Sequence, residues 1–141
     1  MKIIRDYATE IIASMQDKEI VSILLQLIQT IQYDAIGESL MATYLIERSK
    51  SNAQIAIYVY WYLKTESESI QQKEAKNTKN LNHEKIQIYK NVFYAFIKEF
   101  EEGKEHQDTW EIIKQQEKFV KYLRDLSKAM KEIKNNTERE T

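Results

Sequence analysis

The chain has 141 residues, 43% hydrophobic and 30% charged, with a formal net charge of −1; that composition excludes a disordered chain and any bulk attraction to nucleic acid or anionic lipid. It contains no cysteine, which excludes a disulfide scaffold, a thiolate zinc site and a cysteine nucleophile together. Proline is also absent and the only glycines are Gly37 and Gly103, so the many tight turns of a sandwich or barrel have no residues to make them and an all-helical domain is expected.

The opening "MKIIRDYATE" reaches Asp6 without a long apolar run, so it does not read as a signal peptide. Ile4, Tyr7, Ala8, Ile11, Ile12 and Met15 instead repeat at helical spacing. Asp17 is placed to cap a second helix, with Glu19 in its first turn. That helix carries Ile20, Val21, Leu24, Leu25, Ile28 and Ile31 and fades near Tyr33, with a break at Gly37. A third helix holds Leu40, Met41, Tyr44 and Leu45.

The run "IAIYVYWYL", residues 55–63, follows Asn52 as a candidate cap. Local propensity favours a strand there. No other run offers a pairing partner, so a central helix, apolar all round and packed on several neighbours, is the consistent reading. It is half the roughly 18 apolar residues that a membrane span needs. The text then turns polar in "TESESIQQKEAKNTKN", which reads as a mobile loop over residues 65–81. Asn82 is expected to cap a long helix bearing Ile86, Tyr89, Val92, Phe93, Phe96, Ile97 and Phe100, stopped by Gly103. Asp108 and Glu111 resemble a capping box for the last helix. Its seam is Ile112, Phe119, Leu123, Leu126, Met130 and Ile133, and the tail from 135 to 141 is expected to fray. About six helices with short connections make antiparallel hairpins, either a closed bundle or a stretch of α-solenoid.

No catalytic pattern emerges. Two isolated glycines cannot form a phosphate loop. "HEKIQ" places Gln87 where a zinc motif starting at His83 needs a second imidazole. His106 falls in an interhelix connection and reads as a solvated histidine. "NNT" at Asn135 is a glycosylation sequon without a secretory context. Lys118, Lys121, Arg124, Lys128, Lys131 and Lys134 form a basic stripe on the last helix. It reads either as a surface for an acidic partner or membrane, or as the solvated face opposite the seam, the second being favoured by Asp125 and Glu132 within it.

Four blocks go further: "LLQLIQTIQYD" (24–34), "TYLIERSKSNAQIAIYVYWYLKTESE" (43–68), "IYKNVFYAF" (88–96) and "WEIIKQQEKFVKYLRDLSKAMKE" (110–132). In this order and spacing the chain resembles the helical accessory domain of phosphatidylinositol 3- and 4-kinases over about residues 20 to 134. Gln26, Leu27, Gln29, Tyr33 and Asp34 match one family helix. Leu45, Ile46, Arg48, Asn52, Tyr58, Tyr60, Trp61 and Tyr62 match the following pair. Gln115, Gln116, Phe119, Val120, Leu123 and Leu126 match a last helix that points to class III, the vacuolar protein-sorting type, over the 4-kinases.

The resemblance implies an α-solenoid spanning residues 1–134, with a buried helix at 55–63. It places the structural core at Leu27, Tyr33, Leu45, Tyr58, Tyr60, Trp61, Phe93, Phe96, Phe119, Leu123 and Leu126. Gln26, Gln29, Arg48, Gln115 and Gln116 are the candidates for interdomain polar contacts. Trp61→Ala is expected to cost about 3–5 kcal/mol if that ring is buried. The implied role is a non-catalytic scaffold bridging a C2 domain and a kinase domain, in an enzyme that converts phosphatidylinositol to its 3-phosphate with ATP and magnesium or manganese. No catalytic, metal or cofactor residue is expected in this chain. Implied partners are those two domains, a protein-kinase-like regulatory subunit and a Beclin-type subunit, at endosomal or autophagic membranes from the cytoplasmic side, without nucleic acid or a transmembrane segment. Since the family's C2 and kinase parts are not in the sequence, the chain reads as a fragment, a truncated paralogue or an incomplete gene model, with an apolar face near the first helix left uncovered. The alternative is a stand-alone helical interaction module derived from a lipid kinase.

Overall fold

A computed structural model of the chain describes residues 2–76 and 83–140, and of residues 74 and 75 the backbone only. The described residues form six α-helices and no strand: α1 Lys2–Ala13, α2 Asp17–Thr30, α3 Leu40–Ser51, α4 Ala53–Lys76, α5 His83–Glu102 and α6 Gln107–Glu140. Single 3-10 turns follow α2 at Ile31–Tyr33 and precede α6 at Lys104–His106. The chain divides into two compact units, residues 1–107 and 108–141.

In the first unit, α1 packs on α3, α2 on α3 and α4, α3 on α4, and α4 on α5. Each helix thus meets the helix next to it or two along, the arrangement of stacked hairpins. The core is one stripe from each of three helices, α2, α4 and α5, completed by Leu45 of α3. On α2 and the turn after it, Ile20, Leu24, Ile28 and Ile31 are completely buried, at the spacing of one helical face. Ile55, Val59 and Leu63 of α4 and Tyr89, Phe96 and Phe100 of α5 are buried with them. Each such side chain contributes about 1.5–3 kcal/mol by area.

The turns use specific residues. Gly37 has φ +80°, a left-handed conformation that side-chain-bearing residues avoid. Gly103 ends α5 for a different reason: a Cβ there would sit 2.9 Å from the Glu99 carbonyl oxygen and 2.9 Å from His106 Cδ2. Ser39 caps α3, its Oγ accepting from the Ala42 N–H at 3.0 Å and donating to Asp34 Oδ2 at 2.6 Å.

Several expectations change. Asp17 is not the cap of α2 but its first residue; Gln16 stands at the cap, and its N–H donates to Glu19 Oε2 at 3.1 Å. Residues 65–76 are helix, not loop, because Ser67 and Ile70 continue the buried stripe of α4 one and two turns beyond Leu63. The remainder of that expected loop and the expected cap Asn82 lie outside the described residues. Residues 135–140 are helix rather than frayed tail, joined to the preceding turn by Thr137 Oγ1 donating to the Ile133 carbonyl at 2.9 Å and by a Lys134–Glu138 ion pair at 3.8 Å. α6 starts before Asp108, and Glu111 pairs with Lys114 at 3.1 Å instead of closing a capping box.

Candidate functional site

The densest polar arrangement joins the starts and ends of three helices. Asn52 is the single residue between α3 and α4. Its Oδ1 accepts from the Ile55 N–H at 3.1 Å, capping α4, while its Nδ2 donates to Asp17 Oδ2 at 3.0 Å. Arg48, one turn earlier, donates through Nε to Asp17 Oδ1 at 2.5 Å and through Nη2 to the Met15 carbonyl at 2.8 Å. The Asn52 amide, and next the Arg48 guanidinium, hold the Asp17 carboxyl below its usual range. This clamp fixes the entry to α2 against the α3–α4 corner. Its chemistry is orientation: both oxygens of the Asp17 carboxylate are held by side chains of the α3–α4 corner.

An aromatic cluster lies between α4 and α5. Tyr60 sits edge-on to Trp61 at 5.3 Å and tilted against Phe93 at 5.2 Å and Phe96 at 6.1 Å. Phe96 stacks on Phe100 at 4.5 Å, and Phe100 meets His106 at 5.5 Å. His106 is therefore half-buried against a ring rather than solvated, a contact that its loop-like sequence context concealed. Deeper in, the Tyr89 hydroxyl donates to the Ile28 carbonyl at 2.8 Å. Burial, with the Glu66 carboxylate adding to it, pushes that phenol far above its ordinary range, so it stays neutral and holds α5 to the end of α2.

A cavity of about 210 Å³ opens between α1, the end of α2 and the start of α3. Its walls include Ile12, Leu27 and Met41, with Arg5 paired to Asp34 at 2.9 Å at its edge. Beside it the outer face of α1 is apolar and uncovered: Ile3, Ile4, Tyr7 and Ile11 are 84%, 67%, 65% and 53% exposed.

The sequence-derived core residues divide. Leu27, Leu45, Tyr60 and Phe96 are buried, and Trp61 and Phe93 are half-buried. Tyr33 is exposed beside the Lys85 ammonium, 5.7 Å from the ring centre; it lies two residues beyond Ile31 and so off the buried stripe. Tyr58 is exposed and stacks on Tyr62 at 5.8 Å, which shows that α4 has an outer face and is not enclosed all round. Phe119, Leu123 and Leu126 are exposed. Of the polar candidates, Arg48 enters the clamp, Gln29 donates to Glu66 Oε1 at 3.3 Å, Gln26 and Gln115 are exposed, and Gln116 is half-buried. The sequence reading passed over Asp17 as a bridging carboxylate; its signal was only a spacing of about thirty residues to Arg48 and Asn52, which no local pattern reveals.

No group of three or more histidines, aspartates or glutamates that could hold a metal ion occurs among the described residues. No described helix is long and apolar enough to cross a membrane.

Residues 1–98 match the phosphoinositide 3-kinase family accessory domain (PIK domain). Over 146 positions, the chain is 21% identical to phosphatidylinositol 3-kinase VPS34 of Arabidopsis thaliana, covering 96% of this chain and 16% of that protein. It is 26% identical over 138 positions to phosphatidylinositol 3-kinase pik3 of Schizosaccharomyces pombe, covering 93% and 16%. A shorter stretch of 64 residues, 45% of the chain, is 38% identical to phosphatidylinositol 3-kinase 2 of Dictyostelium discoideum, of which it covers 3%. The chain thus spans less than one fifth of the length of these relatives.

Proposed function

This chain belongs to the phosphoinositide 3-kinase accessory-domain (PIK domain) family, and from that premise we propose that it is a non-catalytic helical scaffold of a class III phosphatidylinositol 3-kinase. The observation that carries this reading is the pair of relatives aligned over 96% and 93% of the chain, both phosphatidylinositol 3-kinases. The architecture supports it. A stack of hairpins with a polar clamp at one corner holds surfaces at fixed separation, and the uncovered apolar face of α1 is the kind of surface that a neighbouring domain buries.

In this reading the chain positions a C2 domain and a kinase domain relative to one another. The phosphoryl transfer from ATP to the inositol 3-position, with magnesium or manganese, is done by residues of the kinase domain. Partners are those domains, a protein-kinase-like regulatory subunit and a Beclin-type subunit. The place of action is the cytoplasmic face of endosomal or autophagic membranes.

The test is an immunoprecipitation of the native protein with an antibody raised to α5, residues 83–102, followed by incubation with phosphatidylinositol vesicles, ATP and magnesium. Lipid labelled at the 3-position is expected in the precipitate. Recovery of the protein with no lipid kinase activity above a control antibody overturns the reading in favour of a stand-alone interaction module.

A further inference from the structure

The basic stripe of α6 reads as a plain solvated face only if the apolar seam opposite it is buried, and that seam is not buried. Phe119, Tyr122, Leu123, Leu126, Met130 and Ile133 are 47% to 66% exposed. At about 100° per residue they fall within one arc of about 100°, along about 21 Å of helix. Leu123, Leu126 and Met130 form a shallow strip there with Ser127, Lys131 and Lys134.

Positive charge is gathered around this arc rather than spread along the chain. Residues 118–134 hold six cations, Lys118, Lys121, Arg124, Lys128, Lys131 and Lys134, against two carboxylates, Asp125 and Glu132. The whole chain has 21 cations to 22 carboxylates, which leaves fifteen to twenty for all other residues. The exposed seam thus has a cationic setting on an otherwise acidic chain. By helical position, Lys118 and Lys134 border the arc on opposite sides. Lys131 and Arg124 follow on one side, and Lys121 and Lys128 on the other, with Asp125 and Glu132 among them. Lys134 also reaches Glu138 at 3.8 Å, both side chains being exposed.

An occupant of this face is therefore apolar at its middle and anionic at its edges. An anionic bilayer and an acidic amphipathic helix both have that profile, and two features favour the bilayer. Five of the six cations are lysines, whose flexible stems carry ammonium groups out to headgroups of no fixed geometry, whereas fixed carboxylates are matched by arginine forks. The strip is also shallow and open, not a groove that grips the side chains of a partner helix. We propose that α6 lies along the surface of an anionic membrane, with the seam of residues 119–133 among the upper acyl chains and its lysines at the headgroups. No described helix is able to span a bilayer, so the contact is in the interface plane. The inference does not depend on the scaffold reading, since vesicles free of phosphatidylinositol test it without any lipid kinase activity.

The experiment is flotation of the full 141-residue chain with vesicles of phosphatidylcholine alone and of phosphatidylcholine mixed with phosphatidylserine. The chain is expected to float with the mixed vesicles, about tenfold or more better than with phosphatidylcholine alone, and less well as salt rises. Lys131→Gln with Lys134→Gln is expected to weaken binding about tenfold or more. Leu123→Ala with Leu126→Ala, which keeps every charge, is expected to weaken it by more than about tenfold. Its helix content by circular dichroism stays unchanged, because both positions are exposed and alanine favours helix. Ile4→Ala with Ile11→Ala, on the uncovered face of α1, is expected to bind like the wild type. A wild type that does not float with the mixed vesicles overturns the proposal. So does a leucine variant that binds as tightly as the wild type, which leaves only charge attraction, or an α1 variant that loses binding. Binding to polyglutamate but not to the mixed vesicles overturns it in favour of an acidic protein partner.

Discussion

Replacing Phe96 by Ala removes a completely buried ring that stacks on Phe100 and leans on Tyr60. The expected cost is about 3–5 kcal/mol, measured by chemical denaturation. Trp61 is half-buried, with the Lys64 ammonium 5.4 Å from its ring centre, so Trp61→Ala is expected to cost about 1–3 kcal/mol. That order reverses what the sequence suggests, because the larger ring looks the more important and only the contacts show which one is enclosed. Asp17 gives a pH signature. Its folded pKa lies below 3.8 because Asn52 and then Arg48 stabilise the carboxylate. The stability it contributes is therefore present above that value and is lost as pH falls through the folded pKa. The melting-temperature gap between wild type and Asp17→Asn is expected to be widest at neutral pH and to close below pH 3.8. The hydrophobic stripes of α2 and α5 were legible in outline, since spacing identifies a buried face, although it passed over Ile88, which is buried. The clamp was not, because its members are apart in sequence and each reads as an ordinary polar residue.

At the scale of elements, α4 is the instructive case. Its first half was read as helix against local β-propensity, because no partner strand exists, and it is helix. Its second half was read as loop from composition, and it is helix too. Polar text between 64 and 76 concealed two inward positions, Ser67 and Ile70, which are 8% and 9% exposed. Two buried residues in a dozen are too few to register as periodicity, yet they continue the stripe set by Ile55, Val59 and Leu63. Hydrogen exchange separates the alternatives. The amides of residues 66–70 are expected to exchange slowly, at rates approaching those of 59–63. Exchange at the rate of an unstructured peptide would restore the loop reading. The outward faces of α1 and of α6 are apolar in both the sequence and the structure. An uncovered apolar face near the first helix was expected from the resemblance, whereas the α6 seam, expected as core, is exposed, since an amphipathic pattern says that a face wants covering and not what covers it.

For the molecule as a whole, fold class and family were legible because two independent signals agreed: the lack of turn-forming residues, and four blocks in family order. Function was legible only as far as those blocks reach, since they are packing motifs. On the proposed reading this chain is a support whose work is geometric. The measurement that tests that claim most directly is a lipid kinase assay on the purified 141-residue chain, with phosphatidylinositol vesicles, ATP and magnesium. The account predicts turnover indistinguishable from a blank, while circular dichroism shows the helices in place. Formation of phosphorylated lipid that disappears when a residue of this chain is substituted would contradict it.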